Sequence, residues 1–280
     1  MTRSSERSSE LAGRLADVRA RIMAACAAAG RDESELTLIA VTKTYPASDV
    51  LALASLGVTD FGENRDQEAA PKAAEVAAAF AAAGMAAPPA GGDAAHEAAG
   101  KPVTWHFIGQ LQTNKARSVA TYADAVHSVD RIRLVHALGA AARAAGRQLT
   151  CLVQVSLDPA DADAPAGPER GAGADRPGQP GSGQERGGVP PARLAEVAAA
   201  IAAEPGLALG GLMAAAPLAM DPGLAFAPLR RLSAVIRSVT PSATVISAGM
   251  SGDLEPAVAS GATHLRIGTA LLGNRRPPVR

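Results

Sequence analysis

Aromatic residues make up only 2% of this 280-residue chain, and cysteine occurs twice. Scarce aromatics leave few platforms on which nucleobases could stack. They also leave the core to Ala, Val, Leu and Ile, since 48% of the residues are hydrophobic. Cys26 and Cys151 belong to no CxxC pair or Cys/His cluster, so neither a metal site nor a disulfide framework is indicated. Charge of one sign is missing too: 27 Lys+Arg balance 27 Asp+Glu. A neutral chain gives no electrostatic case for nucleic acid or for an anionic membrane. No apolar run of spanning length is free of charges or Gly/Pro breaks, apart from Ala-rich stretches too weakly hydrophobic to cross a bilayer. Residues Met1 to Glu10 are charged and Ser-rich, with no apolar signal core behind them. The expectation is a cytoplasmic protein with no nucleic-acid and no membrane partner.

What is present is alternation. Leu11, Leu15, Val18, Ile22 and Cys26 share one helical face, and Gly30 makes a natural stop. Strand patterns follow at 38–43, 58–62, 104–109, 125–129, 150–157, 207–214, 244–248 and 263–268. Helical patterns lie between them at 47–56, 65–84, 113–121, 130–145, 190–203, 222–238 and 253–260. Strands alternating with helices predict an α/β fold with a parallel sheet. Eight strands close a single (β/α)8 TIM-type barrel, here with an extra N-terminal helix. The alternative, an open doubly wound sheet, usually shows a Gly-rich phosphate loop after its first strand; Lys43-Thr44-Tyr45-Pro46 stands there instead. One domain over 1–280 is expected. Two segments break the pattern. Residues 86–101 are Ala/Pro/Gly-rich, and residues 159–190 hold 8 Gly and 6 Pro. Both read as flexible insertions unable to bury enough apolar surface to offset ordering.

The chemistry starts at Lys43. The run Leu38-Ile39-Ala40-Val41-Thr42 leads straight into it, and Tyr45-Pro46 break the run. A buried ammonium without a partner tends toward the neutral, nucleophilic amine that imine formation requires. The plainer reading is a lysine snorkelling to solvent. In a barrel the strand C-terminal ends form the active face. Asn64 follows the second strand, where it could equally cap a helix. His106 alternates with Trp105 and Phe107 on the third strand, as a site-lining candidate or a structural histidine. Ser247-Ala248-Gly249-Met250-Ser251-Gly252-Asp253 ends the seventh strand, and Arg266-Ile267-Gly268-Thr269-Ala270 ends the eighth. Small residues before a helix start let backbone N–H groups approach an anion. Phosphate sites in barrels commonly use these two loops. A reactive lysine opposite a phosphate cup fits pyridoxal 5′-phosphate, and it fits a phosphosugar aldolase equally.

The stretches LIAVTKTYPASDV, DFGENRDQEAAPK, WHFIGQLQTNKAR, VHSVDR, LVQVSLD, GLMA and SAGMSGDLEPAVASGATHLRIGTALLG are similar to the pyridoxal phosphate homeostasis protein family, also called YggS or PROSC-like proteins. The resemblance spans about residues 10–280 outside the two insertions. It implies the barrel of the alanine racemase N-terminal domain, with pyridoxal 5′-phosphate held covalently on Lys43 as an internal aldimine. By the same resemblance Asn64 lies by the cofactor. Ser251, next to Met250, would hold the phosphate with the backbone of Gly268 and Thr269 and the Thr269 hydroxyl. Arg266 faces the pyridine nitrogen, where a permanent positive charge disfavours ring protonation and weakens the ring as an electron sink. Two departures stand out: the long 159–190 segment replaces a short polar one, and Gly252 stands where an acidic residue is common.

The resemblance implies a binding protein for intracellular cofactor homeostasis and not an enzyme, with cofactor-dependent apoenzymes as conceivable recipients. An amino-acid racemase is the alternative. Racemisation needs acid/base groups on both faces of the ring. The chain runs out at Gly273-Asn274-Arg275-Arg276, with no second domain expected to supply one, and the tyrosines are Tyr45 and Tyr122. With no shared active site to build, a monomer is expected.

Overall fold

The computed structural model describes residues 3–84, 103–162 and 187–273. Its first element, α1 (Arg3–Ala29), buries Leu11, Leu15, Val18, Ile22 and Cys26 along one stripe. Gly30 ends it with φ 64°. The Arg31 N–H then reaches the Cys26 carbonyl at 3.0 Å and the Gly30 N–H that of Ala27 at 3.3 Å, which satisfies two of the helix's terminal acceptors.

Eight parallel strands close a barrel in chain order. They are β1 (Thr37–Val41), β2 (Asp60–Glu63), β3 (Thr104–Phe107), β4 (Ala125–Val129), β5 (Leu149–Gln154), β6 (Leu207–Met213), β7 (Val245–Ser247) and β8 (His264–Ile267). Closure pairs Ile39 with Arg266 and Ala40 with Ile267. The outer helices are α2 (Ala47–Ser55), α3 (Asp66–Ala82), α4 (Ala116–Tyr122), α5 (Ile132–Ala144), α6 (Pro159–Ala162), α7 (Leu194–Ala203), α8 (Pro222–Phe226), α9 (Leu229–Val239), α10 (Leu254–Ala259) and α11 (Thr269–Leu272). The expected (β/α)8 barrel with an added N-terminal helix is therefore present.

Strand parity divides the core in two. Ala40, Phe61, Trp105, Phe107, Val126, Cys151, Leu265 and Ile267 pack outward in one apolar cluster with the helices. The alternate positions turn inward, where barrels usually stack bulky aliphatic side chains. Here Asp60, His106, His127, Ser247 and Arg266 occupy that interior, all buried and mutually hydrogen-bonded.

Several details differ from the sequence reading. The first strand stops at Val41 and does not run to Lys43. The Tyr45 N–H closes a turn onto the Thr42 carbonyl at 3.0 Å, so Lys43 sits in that turn, half-buried. The helix expected over 222–238 is two helices. Pro228 lacks the N–H a continuous helix needs and clashes with the preceding turn, and it stands as the N-cap of α9. The 159–190 segment is not loop throughout: α6 opens it, and Val189 pairs with Val155 beside β5. Residues 163–186 and the insertion expected at 86–101 lie outside the described residues. Among the described residues, no helix is long and apolar enough to cross a membrane.

Candidate functional site

Two strand ends are clasped together around Lys43. Lys72, on α3, reaches back with its ammonium 2.6 Å from Glu63 Oε1 and 2.8 Å from the Thr42 carbonyl. The Thr42 hydroxyl donates to the same Glu63 oxygen at 2.7 Å. Glu63 is fully buried, and its Oε2 has no hydrogen-bond partner. Burial pushes the Glu63 carboxyl above the usual glutamate range, while Lys72 and Thr42 pull it down. The clasp ties the residue before Lys43 to the residue before Asn64. Thr44, just past Lys43, holds φ 69°, a conformation costly for a β-branched residue. Its N–H donates to Glu68 Oε2 at 3.2 Å.

Asn64 is half-buried, and its side-chain oxygen is buried with no hydrogen-bond partner. Such an orphan acceptor at a strand's C-terminal end calls for a ligand donor or an ordered water. Gly109, at the end of the third strand's turn, lies against this loop. A Cβ there would strike the Asn64 carbonyl oxygen, with the Asn64 Cα only 2.7 Å away.

The two small-residue turns meet on the far side of the same barrel end. The Ala270 N–H donates to Ser251 Oγ at 3.2 Å, which joins the β7 loop to the start of α11. Asp253, buried, accepts from the Met250 N–H and so shapes the turn that carries Ser251. A Cβ at Gly268 would lie 3.5 Å from that of Val41, so this turn sits against the end of β1, two residues before Lys43. Met250, Ser251 and Gly268 are half-buried and Thr269 is exposed. Lys43, Asn64, Ser251, Gly268 and Thr269 thus all sit at strand C-terminal ends.

Arg266 lies inside the barrel. It is 6% exposed and donates to Ser247 Oγ at 2.7 Å and to the Ala214 carbonyl at 2.8 Å. His106 faces the barrel interior, as its alternation with Trp105 and Phe107 implies. Both its ring nitrogens are engaged, by Asp60 at 2.8 Å and by His127 at 2.9 Å. Burial first, then His106 and Arg266 nearby, pushes the His127 imidazole well below its usual range, so it is neutral. Among the described residues, no group of three or more His, Cys, Asp or Glu side chains is placed to hold a metal ion.

Sequence reasoning missed Asp60, Glu63, Lys72, His127, Ser247 and Asp253. His127 carried a usable signal, since it alternates with Val126 and Ser128 as His106 does with its neighbours. The Glu63–Lys72 contact links a strand to a later helix, and spacing along the chain does not reveal it. The tyrosines take structural positions. The Tyr45 hydroxyl donates to the Gly273 carbonyl at 2.8 Å. Tyr122 is half-buried with its hydroxyl buried, and burial, with Asp66 and Glu63 nearby, pushes its pKa well up. A cleft of about 450 Å³ opens at the opposite end of the barrel, lined by residues including Arg31, Arg230 and Arg237, and includes none of the residues above.

Comparisons with known proteins bear on the family and the fold. Residues 181–276 match the family profile described as alanine racemase, N-terminal domain. The pyridoxal phosphate homeostasis protein of Mycobacterium tuberculosis is 41% identical over 280 residues, covering 97% of this chain and 95% of its own. The Escherichia coli protein of the same name is 33% identical, covering 95% and 97%. PipY of Synechococcus elongatus, solved with PLP bound, superposes with TM-score 0.68 at 30% identity, covering 94% of this chain and all of its own. Alanine racemase from Corynebacterium glutamicum, at 14% identity and TM-score 0.57, shares the fold over 60% of its length. At that identity and coverage, the chain belongs to the pyridoxal phosphate homeostasis protein family.

Proposed function

We propose that this chain binds pyridoxal 5′-phosphate and holds it in reserve for the cell, with Lys43 as its covalent anchor. One observation carries the reading: the Ser251–Ala270 hydrogen bond draws the two small-residue turns together at the strand ends where Lys43 and Asn64 also lie. The fit of the residues supports it. The orphan Asn64 oxygen can take a donor, the α11 start can face an anion, and Arg266 brings a fixed positive charge. When bound, the cofactor supplies an aldehyde that condenses with an amine and a ring that can withdraw electrons.

The chain's own residues would divide the work. Lys43 provides the amine, and strained Thr44 fixes the turn that presents it. Asn64 would border the ring. Ser251 and the backbone of Gly268 and Thr269 take the phosphate, with Met250 and the Thr269 hydroxyl alongside. Arg266 would lie toward the ring nitrogen, where its fixed positive charge would disfavour protonation and so damp carbanion chemistry. Neither tyrosine supports a racemase. Tyr45 is committed to Gly273, and Tyr122 holds its proton far too tightly for transfer near neutral pH. The reading extends to a monomeric, cytoplasmic reservoir, with cofactor-requiring apoenzymes as recipients.

The test is spectroscopic. Protein loaded with the cofactor is expected to be yellow, and Lys43→Ala to lose most of that absorbance. A colourless wild type would overturn the reading. So would exchange of an amino acid's Cα proton at ordinary enzymic rates, about 1–10³ per second.

A further inference from the structure

Five buried side chains from five different strands form one unbroken line through the barrel. Asp60 on β2 meets His106 Nε2 at 2.8 Å, His106 Nδ1 meets His127 Nε2 at 2.9 Å, His127 Nδ1 meets Ser247 Oγ at 2.9 Å, and Ser247 Oγ meets Arg266 at 2.7 Å. All five are at most 6% exposed. Donor and acceptor chemistry allows little freedom along it. A guanidinium only donates and a carboxylate only accepts. Thr59 already donates to the other Asp60 oxygen at 2.6 Å. With neutral rings, His106 must therefore carry its proton on Nε2 and accept at Nδ1. His127 then also carries its proton on Nε2 and accepts at Nδ1, which leaves the Ser247 hydroxyl to donate there and to accept from Arg266. Every hydrogen bond thus donates in the direction from Arg266 toward Asp60.

We propose that Asp60, His106, His127 and Ser247 are positioning residues that clamp Arg266 through this one-way line of hydrogen bonds, whose donors all point away from Arg266 and toward Asp60. The function of the line rests on the reading that Arg266 faces bound pyridoxal phosphate. Both ends of the line lie at one level of the barrel, since Asp60 and Arg266 each pair in register with Ile39. The alternative, a doubly protonated His106, would reverse the His106–His127 and His127–Ser247 bonds. It would also place a second cation among Arg266, His127 and His264, whose ring lies 6.4 Å from that of His106.

Nitrogen-15 NMR of the cofactor-free wild type near neutral pH tests the line by itself. Both imidazoles are expected as neutral Nε2–H tautomers. An Nδ1–H tautomer or an imidazolium at His106 or His127 would overturn the proposal. The consequence for the ligand is tested with loaded protein. Asp60→Asn keeps the side chain's shape and removes the charge that sets the direction, and His127→Phe cuts the line at its centre. Each is expected to speed cofactor release by on the order of tenfold and to shift the pH dependence of the bound cofactor's absorbance, with Asp60→Glu restoring part of both. Wild-type release and spectrum in both variants would overturn the proposal. If the wild type takes up no cofactor, the proposed function fails, while the tautomers still decide the line.

Discussion

Replacing Lys72 with Met should unfasten the corner on which Lys43 and Asn64 depend. Lys72 places its ammonium 2.6 Å from Glu63 Oε1, and Glu63 is 0% exposed with its second oxygen unbonded. Methionine keeps much of the aliphatic stem and deletes the charge. Removing one partner of a buried pair typically costs about 3–5 kcal/mol, because the other charge is stranded. The lost Thr42 carbonyl contact belongs to the same cluster, so its cost does not simply add. Protonation of Glu63 caps the total. An expectation of about 3–4 kcal/mol at neutral pH follows, or roughly 10 °C in Tm for a domain of this size.

The pH dependence carries the sharper test. Burial already holds the folded-state pKa of Glu63 above its unfolded value, and loss of Lys72 raises it further. A raised carboxyl pKa contributes stability that is complete below the unfolded value, about 4.3, and is lost as pH rises through the folded one. The variant's deficit should therefore shrink as pH falls from about 7.5 to about 5.5, as Glu63 takes up a proton. Urea denaturation at both pH values measures this, and Glu63→Gln/Lys72→Met should recover more than half of the loss. A deficit below about 1 kcal/mol, the scale of an exposed pair, or one equal at both pH values, would refute a buried, paired Glu63.

Three further outcomes are expected. Ser251→Ala should speed cofactor release about tenfold, the scale of one hydrogen bond to a charged group, while reaction at Lys43 persists; stopped-flow release against a scavenging apoenzyme reads it. Gly109→Ala should destabilise by about 3 kcal/mol or more, since the new Cβ meets backbone that cannot rotate away, and thermal denaturation checks it. Thr44→Asn should stabilise by about 1 kcal/mol, because asparagine tolerates the left-handed backbone better than a β-branched residue. The backbone bond to Glu68 is kept, and a Tm that stays level or falls would count against strain at Thr44.

The barrel was legible because each element announced itself locally. Strand and helix patterns alternated, Gly30 marked the end of α1, and both Gly/Ser turns stood at strand ends. Lys43 and Arg266 were legible as charges set in apolar runs, although Lys43 stands in a turn beyond the strand it was expected to end. The interior line was not legible. Asp60, His127 and Ser247 become neighbours only when strands β2, β4 and β7 curl into one closed sheet. His106 shows the limit plainly: alternation gave its direction, but only closure gave its partners. The Glu63–Lys72 clasp escaped for the same reason, since a strand-to-helix ion pair has no fixed spacing.

The chain contains four lysines, Lys43, Lys72, Lys101 and Lys115, so covalent capture can be read residue by residue. Lys72 is held by Glu63, and Lys115 lies 4.0 Å from Asp66. Incubation with pyridoxal 5′-phosphate, borohydride reduction and peptide mapping by mass spectrometry should yield one adduct per chain, on the peptide carrying Lys43. Label spread over Lys72, Lys101 or Lys115, or no label at all, would contradict Lys43 as the anchor.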